Sequence, residues 1–255
     1  VVRGYGCTVS LGGPAPILNR VEHDLPPTLR VGAAGYPVDH SLTLKHDTAT
    51  SRWQVVGAET NRTVAAIDDV AARCLLGELE LFIAAHARRN VFIHAAAVAV
   101  NGRGIVLPGR THSGKTTLAA ELVRAGALYY SDEYAVLDAH GLLRPYPRPL
   151  MMRATGSAAA GPVTVESLGG TTGRRAVPVG LVAFLRHRSD ATFAVSSVSP
   201  AHGVLGLIGN AVAAQTRPRA VLTAATAAMS AATATEGTRG DAAVAAAAIL
   251  ATVTW

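Results

Sequence analysis

Residues 109–117 read Gly-Arg-Thr-His-Ser-Gly-Lys-Thr-Thr, a complete G-x-x-x-x-G-K-T sequence, and its flanks restrict the fold more than any other stretch of the chain. An apolar run, Gly104-Ile105-Val106-Leu107-Pro108, precedes it and predicts a buried strand. Thr116 to Ala125 follows with helical spacing and stops at Gly126. Strand, Gly-rich turn and helix is the arrangement that aims backbone N–H groups at a phosphate. Gly109 and Gly114 permit the tight path around Arg110, Thr111, His112 and Ser113. Lys115 would reach the β- and γ-phosphates of a nucleotide, the Thr116 hydroxyl would ligate Mg²⁺, and Thr117 completes the motif. Arg110 and His112 occupy positions that the motif leaves free.

The second informative feature is Asp132-Glu133, one residue after the apolar segment Leu128-Tyr129-Tyr130 and joined to it by Ser131. In an α/β sheet, carboxylates at the C-terminal end of such a strand sit beside the nucleotide. One can accept a proton from an attacking hydroxyl and the other can hold Mg²⁺. An acidic turn facing solvent is the competing reading.

Residues 1–67 form a small β-rich region, with short strands expected at Gly6–Leu11, Leu29–Val31, Ser41–Leu44 and Arg52–Val56. Turn signals at Gly12-Gly13-Pro14 and Pro26-Pro27 separate them. Residues 68–255 read as the nucleotide-binding domain. It opens with a helix over 68–88 capped by Asp68 or Asp69, with Leu75, Leu79, Phe82 and Ile83 on one face. Asn101-Gly102 predicts a two-residue hairpin between Ala97–Val100 and Arg103–Pro108. A second hairpin, Tyr134–Asp138 with Leu142–Arg144, turns at His140-Gly141. The prolines of 144–153 favour an extended path. Residues 154–176, small and Gly-rich, read as a loop able to close over a ligand. Val179–Leu185 reads as a buried strand, and Pro200–Ala214 and Val221–Ala234 as helices. Asp241 caps a last helix to Leu250.

Composition narrows the partners. A chain that is 49% hydrophobic and 16% charged folds around a core rather than staying disordered. The net charge of +6 raises the question of nucleic acid. The arginines are scattered and no basic run carries stacking aromatics, so a site for nucleotide phosphates explains the balance better than nucleic acid does. Cys7 and Cys74 form neither a C-x-x-C nor a disulfide framework, and no signal pattern is visible, which makes the cytoplasm the expected compartment. The longest apolar stretch, Ala242 to Ala251, is too short to span a membrane.

The segments Val91-Phe-Ile-His94, Gly102 to Thr117 and Leu128-Tyr-Tyr-Ser-Asp-Glu133 together resemble the HPr kinase/phosphorylase family, in particular its HprK-like serine kinase branch. The resemblance covers about residues 90–138 and fades on either side. It implies an α/β phosphate-loop kinase core of the HPr kinase and phosphoenolpyruvate-carboxykinase type, using ATP and Mg²⁺ to phosphorylate a hydroxyl, often of serine. It further implies Asp132 as general acid/base, Glu133 at the second acidic position and His94 near the active site. His94 also has a plain structural reading as a hydrogen-bonded residue at a strand end. Three departures stand out: His94-Ala95 replaces the family's His-Gly, Glu133 replaces its second Asp, and no Glu-x-Arg-Gly signature follows. The last makes the HPr carrier a doubtful acceptor and favours the branch that phosphorylates a precursor peptide in natural-product pathways. A peptide or protein bearing an acceptor serine is the expected partner. Free serine as acceptor, and a nucleotide-binding accessory protein without catalysis, are the alternatives. A homo-oligomer is compatible with the resemblance. Arg148 and Arg153 are candidates for binding substrate phosphates, against a reading as a solvated basic loop.

Overall fold

A computed structural model describes residues 1–33, 35–58, 60–64, 66–109, 113–152 and 161–253. The chain is mixed α/β and divides into two compact units, Val1–Arg89 and Asn90–Trp255. The helix beginning at Asp68 therefore packs within the first unit, whereas the sequence placed it at the start of the second.

In the first unit, the strands β1 (Val2–Gly4), β2 (Cys7–Gly12), β3 (Arg30–Val31), β4 (His40–Asp47), β5 (Arg52–Val56) and β6 (Asn61–Val64) form one sheet in the order β3-β1-β2-β4-β5-β6. Helix α1 (Ala15–His23) joins the parallel pair β2 and β4. Helix α2 (Asp68–His86) lies against β4 and β5. Leu75, Leu79 and Ile83 are fully buried on its inner face, as their spacing requires, and Phe82 stacks between His40 and His86. Neither Asp68 nor Asp69 caps it. Ile67 holds the cap position, and Asp68 instead accepts a hydrogen bond from the Trp53 indole at 3.0 Å. Cys7 is buried and Cys74 half-buried, and burial raises the Cys74 thiol above its usual range.

The second unit contains β7 (Asn90–Val100), β8 (Arg103–Pro108), α3 (Lys115–Arg124), β9 (Leu128–Ser131), β10 (Tyr134–Asp138), β11 (Leu142–Arg144), β12 (Leu150–Met152), β13 (Gly161–Val163), β14 (Val177–His187), β15 (Ala194–Val198), α4 (Pro200–Gly209), α5 (Pro218–Met229), β16 (Thr233–Arg239) and α6 (Ala242–Thr252). The main sheet runs β11-β10-β7-β8-β14-β16-β15, with β8, β14 and β16 mutually parallel. β11 pairs with both β10 and β14, so five strands close into a ring. Both faces are covered. Val91, Ile93, Ala95 and Ala97 of β7 join a core with α4 and α5, while Ala96 and Val98 join a second core with α3 and α6. The period-2 alternation of a strand that is apolar apart from Asn90 and His94 feeds both.

The two hairpins form where turn chemistry predicts them. Asn101 and Gly102 have φ of 50° and 77°, the left-handed pair that a tight hairpin needs. Three expectations are corrected. The Gly12-Gly13-Pro14 turn leads into α1, which Pro14 and Pro16 open, because proline is tolerated in a first helical turn. Residues 233–239, whose first two fall in the expected helix 221–234, form β16, because parallel pairing to the buried β14 overrides the helical continuation expected through Ala234. Residues 161–176 are not a free loop. Val165 is buried, Gly173 donates to the Tyr129 carbonyl at 2.8 Å, and the Tyr130 hydroxyl donates to the Arg175 carbonyl at 2.6 Å. Residues 154–160 lie outside the described residues, as do Arg110, Thr111, His112 and Arg153.

Candidate functional site

The site is organised by two residues at the middle of β7. The first half of that strand pairs with β10 and the second half with β8. On one edge the Ala95 N–H donates to the Glu133 carbonyl at 3.2 Å, and on the other the Gly109 N–H donates to the His94 carbonyl at 3.2 Å. One dipeptide thus ties the start of the Gly109–Thr117 segment to the acidic pair, which lies at the joint where β9 ends and β10 begins.

Gly114 caps α3 with φ 78°, a left-handed conformation that favours glycine. It brings no capping side chain, and no acidic residue occupies the first turn, so the positive end of α3 is left for an external anion. At Gly109 the constraint is milder: a Cβ there would sit 2.8 Å from Ser113 Oγ, so that hydroxyl would have to turn aside. That Ser113 hydroxyl oxygen is buried without a hydrogen-bond partner among the described residues. The Lys115 ammonium donates to the Gly109 carbonyl at 2.8 Å, folding back over the segment. Burial lowers its proton affinity, and the carboxylates of Glu133 and Asp132 raise it again. Those charges place both acids in the field of Lys115. Thr116 is half-exposed at the first turn of α3 and Thr117 is exposed.

The two neighbouring carboxylates occupy different environments. Asp132 is 3% exposed, and its Oδ1 lies 2.9 Å from the Tyr129 hydroxyl, which also reaches the Arg148 carbonyl at 3.0 Å. Tyr129 is held protonated, first by burial and then by the negative charge of Asp132, so it remains a donor. The Glu133 side chain is 41% exposed and approaches His94 Nδ1 at 3.8 Å. Burial lowers the His94 pKa below the ordinary histidine range; Glu133 opposes this and Lys115 reinforces it. The imidazole is therefore neutral at pH 7 and able to accept a proton. Arg148 is half-buried, and its positive charge acts on Tyr129, so this arginine belongs to the same neighbourhood.

Two features escaped the sequence. One is a cleft of about 460 Å³ on the other flank of the segment, bounded by Gly109, Ser113, Phe184, Arg186, Asn210 and Glu236. It opens at the C-terminal ends of β8 and β14, where open α/β sheets receive ligands. Glu236 there bridges Arg186 and His202, each at 3.2 Å. The other is Arg239, the last residue of β16. It is 3% exposed and donates from Nη2 to the Gly114 carbonyl at 2.8 Å. Its signal was lost because 233–239 lacks a strand-like pattern. Among the described residues, no group of three or more His, Cys, Asp or Glu side chains is arranged to hold a metal by itself. No helix among the described residues is long and apolar enough to cross a membrane. No protein-family model matches this chain, and no curated protein matches it.

Proposed function

We propose that the second unit is a phosphate-loop kinase that transfers the γ-phosphate of ATP, with Mg²⁺, to the hydroxyl of a serine in a peptide or protein. The observation that carries this reading is the convergence through His94-Ala95 of three things: a glycine-shaped helix N-terminus, Lys115, and a pair of carboxylates. The residues fit the nucleotide. An uncapped helix end, a left-handed Gly114, a side-chain-free Gly109 packed against Ser113, and an unpartnered Ser113 hydroxyl make a cradle for phosphate oxygens. They also fit Mg²⁺, for which the Thr116 hydroxyl and the half-exposed Glu133 carboxylate are oxygen donors of the right kind. The metal, when bound, supplies neutralisation of charge on the β- and γ-phosphates.

Lys115 leaves the Gly109 carbonyl and turns to the phosphates. The acceptor oxygen attacks the γ-phosphorus while its proton passes to Asp132 Oδ2, the oxygen not engaged by Tyr129. The bond to the β,γ-bridging oxygen breaks, and ADP leaves. His94 lies beside Glu133, with Nδ1 3.8 Å from the carboxylate. Because the base must touch the acceptor, the acceptor enters from the Asp132 flank, and the cleft on the opposite flank houses the nucleoside.

The burial of Asp132 under Tyr129 favours one other reading, a nucleotide-binding protein that transfers nothing. A single experiment separates the two. The chain is incubated with Mg-ATP and serine-containing peptides, free serine or HPr, and intact masses are read beside an Asp132→Asn variant. Gain of one phosphate on an acceptor, lost in the variant, supports the kinase and names its acceptor class. Lys115-dependent ATP binding without transfer supports the accessory protein.

A further inference from the structure

The nucleotide reading leaves one buried charge unaccounted for. Arg239 Nη2 donates to the Gly114 carbonyl at 2.8 Å and Nη1 to the Gly240 carbonyl at 3.0 Å. Both acceptors are neutral. Among the described residues no carboxylate lies within ion-pair distance of this guanidinium, although it is 3% exposed. Asp241, two residues on, is committed elsewhere: its Oδ1 accepts the Val244 N–H at 3.0 Å and caps α6. Burial depresses the proton affinity of Arg239, and Asp241 only partly offsets this. Arginine nonetheless stays protonated in proteins. A buried cation with no counter-ion is costly and is normally matched by an anion.

The position of the unmatched charge is informative. A Cβ on Gly114 would collide with Arg239 Nη2, so the guanidinium fills the place a side chain at 114 would take. The same segment carries the unpartnered Ser113 hydroxyl. A hydroxyl without a hydrogen-bond partner, from β8–α3, and a charge without a counter-ion, from the far end of β16, therefore meet at one helix end.

We propose that Arg239 is part of the polyphosphate site: it turns the Gly114 carbonyl away from the anion and supplies a second fixed positive charge beside Lys115. The missing counter-ion is the phosphate chain of a nucleoside di- or triphosphate. This rests on the nucleotide reading above and goes beyond it, because no sequence motif includes residue 239.

Two variants distinguish charge from scaffolding. Arg239→Gln keeps an amide donor for the Gly114 carbonyl and loses the charge, whereas Arg239→Lys keeps the charge and loses the planar fork. Binding of inorganic tripolyphosphate and of Mg-ATP is measured by titration calorimetry, with melting temperatures taken with and without each ligand. The expected result is a loss of about tenfold or more in affinity for the Gln variant and about threefold or less for Lys. The ligand-free Gln variant should melt no lower than the parent, since an unmatched charge has gone. Equal affinity in the Gln variant, or an equal loss in both variants, overturns the proposal. A parent chain that binds neither ligand removes the nucleotide reading itself, and the proposal with it. If neither variant folds, the parent protein still decides: the Arg239 Nε resonance must shift on saturation with tripolyphosphate while that of the exposed Arg20 stays in place, and an unmoved Arg239 resonance overturns the idea.

Discussion

The two sheets of this protein solve burial differently. In the first unit β5 alternates, Trp53 and Val55 inward and their neighbours outward, and β4 likewise turns Leu42 and Leu44 inward. One face carries α2. In the second unit β7 is buried on both faces between pairs of helices. A sheet covered on both sides pushes polar chemistry to its strand ends, and that is where Gly109, Glu133 and Arg239 lie, with His94 at the middle of β7 where its partner strand changes from β10 to β8. Charge divides the same way. Residues 1–89 hold nine Lys/Arg and nine Asp/Glu, so the whole net charge of +6 resides in residues 90–255. The difference teaches that the positive balance belongs to the region of the proposed anion site and is not a general surface property.

The sharpest test of this division is Lys115→Met. It should cut phosphate incorporation on the order of 10³-fold, because it removes a charge aimed at the transferring group. Arg20→Met in the first unit, which breaks only an exposed pair with Asp24, should leave the rate unchanged. Equal losses in both would dissolve the contrast.

Next in size is Leu79→Ala. This side chain is fully buried on α2, and its loss should cost about 2–5 kcal/mol of unfolding free energy by urea denaturation. A cost near zero would show that α2 does not anchor the first sheet.

Glycine gives a comparison of opposite signs. Gly114→Ala places a Cβ at φ 78° and against Arg239, and should destabilise by about 1–3 kcal/mol while weakening ATP binding. Gly77→Ala lies inside α2 with open space around it and should stabilise by about 0.5–1 kcal/mol. Melting curves of the two variants check both signs.

The smallest expected effect is on pH. Because burial holds the His94 pKa below its usual value of about 6.5, the unfolded chain takes up this proton first as pH falls. The His94 contribution to stability is thus complete above that value and fades as pH drops toward the folded pKa. Urea midpoints at pH 7.5 and 5.5 should differ less in His94→Gln than in the parent. An identical difference would mean that another group sets the slope.

Much of the site was legible because local rules dominate there. Asn101-Gly102 dictates its own turn, and the Gly-Lys-Thr sequence dictates the entry into α3. Asp132-Glu133 follow a strand whose burial is written in its residues. What sequence hides is pairing between distant segments. The fusion of β9 and β10 along one edge of β7 distinguishes a buried Asp132 from an exposed Glu133, and no neighbour in sequence reports it. Arg239 was invisible for the same reason, since its importance comes from a carbonyl at residue 114. In the first unit, α1 was missed because proline at a helix start looks like proline in a turn.

The strand that carries Arg239 has a further consequence, in the order of synthesis. β16 lies between β14 and β15 in the sheet, yet both neighbours are made before it. A growing chain that has reached residue 232 therefore holds β15 without its sheet partner, and a Gly114 carbonyl that accepts only the Leu118 N–H at 3.1 Å and still lacks the Arg239 guanidinium. The contact between Arg239 and Gly114 forms only when residues 233–239 arrive. Completion of this corner of the fold is thus a late event in the life of the chain, withheld from any product that stops short.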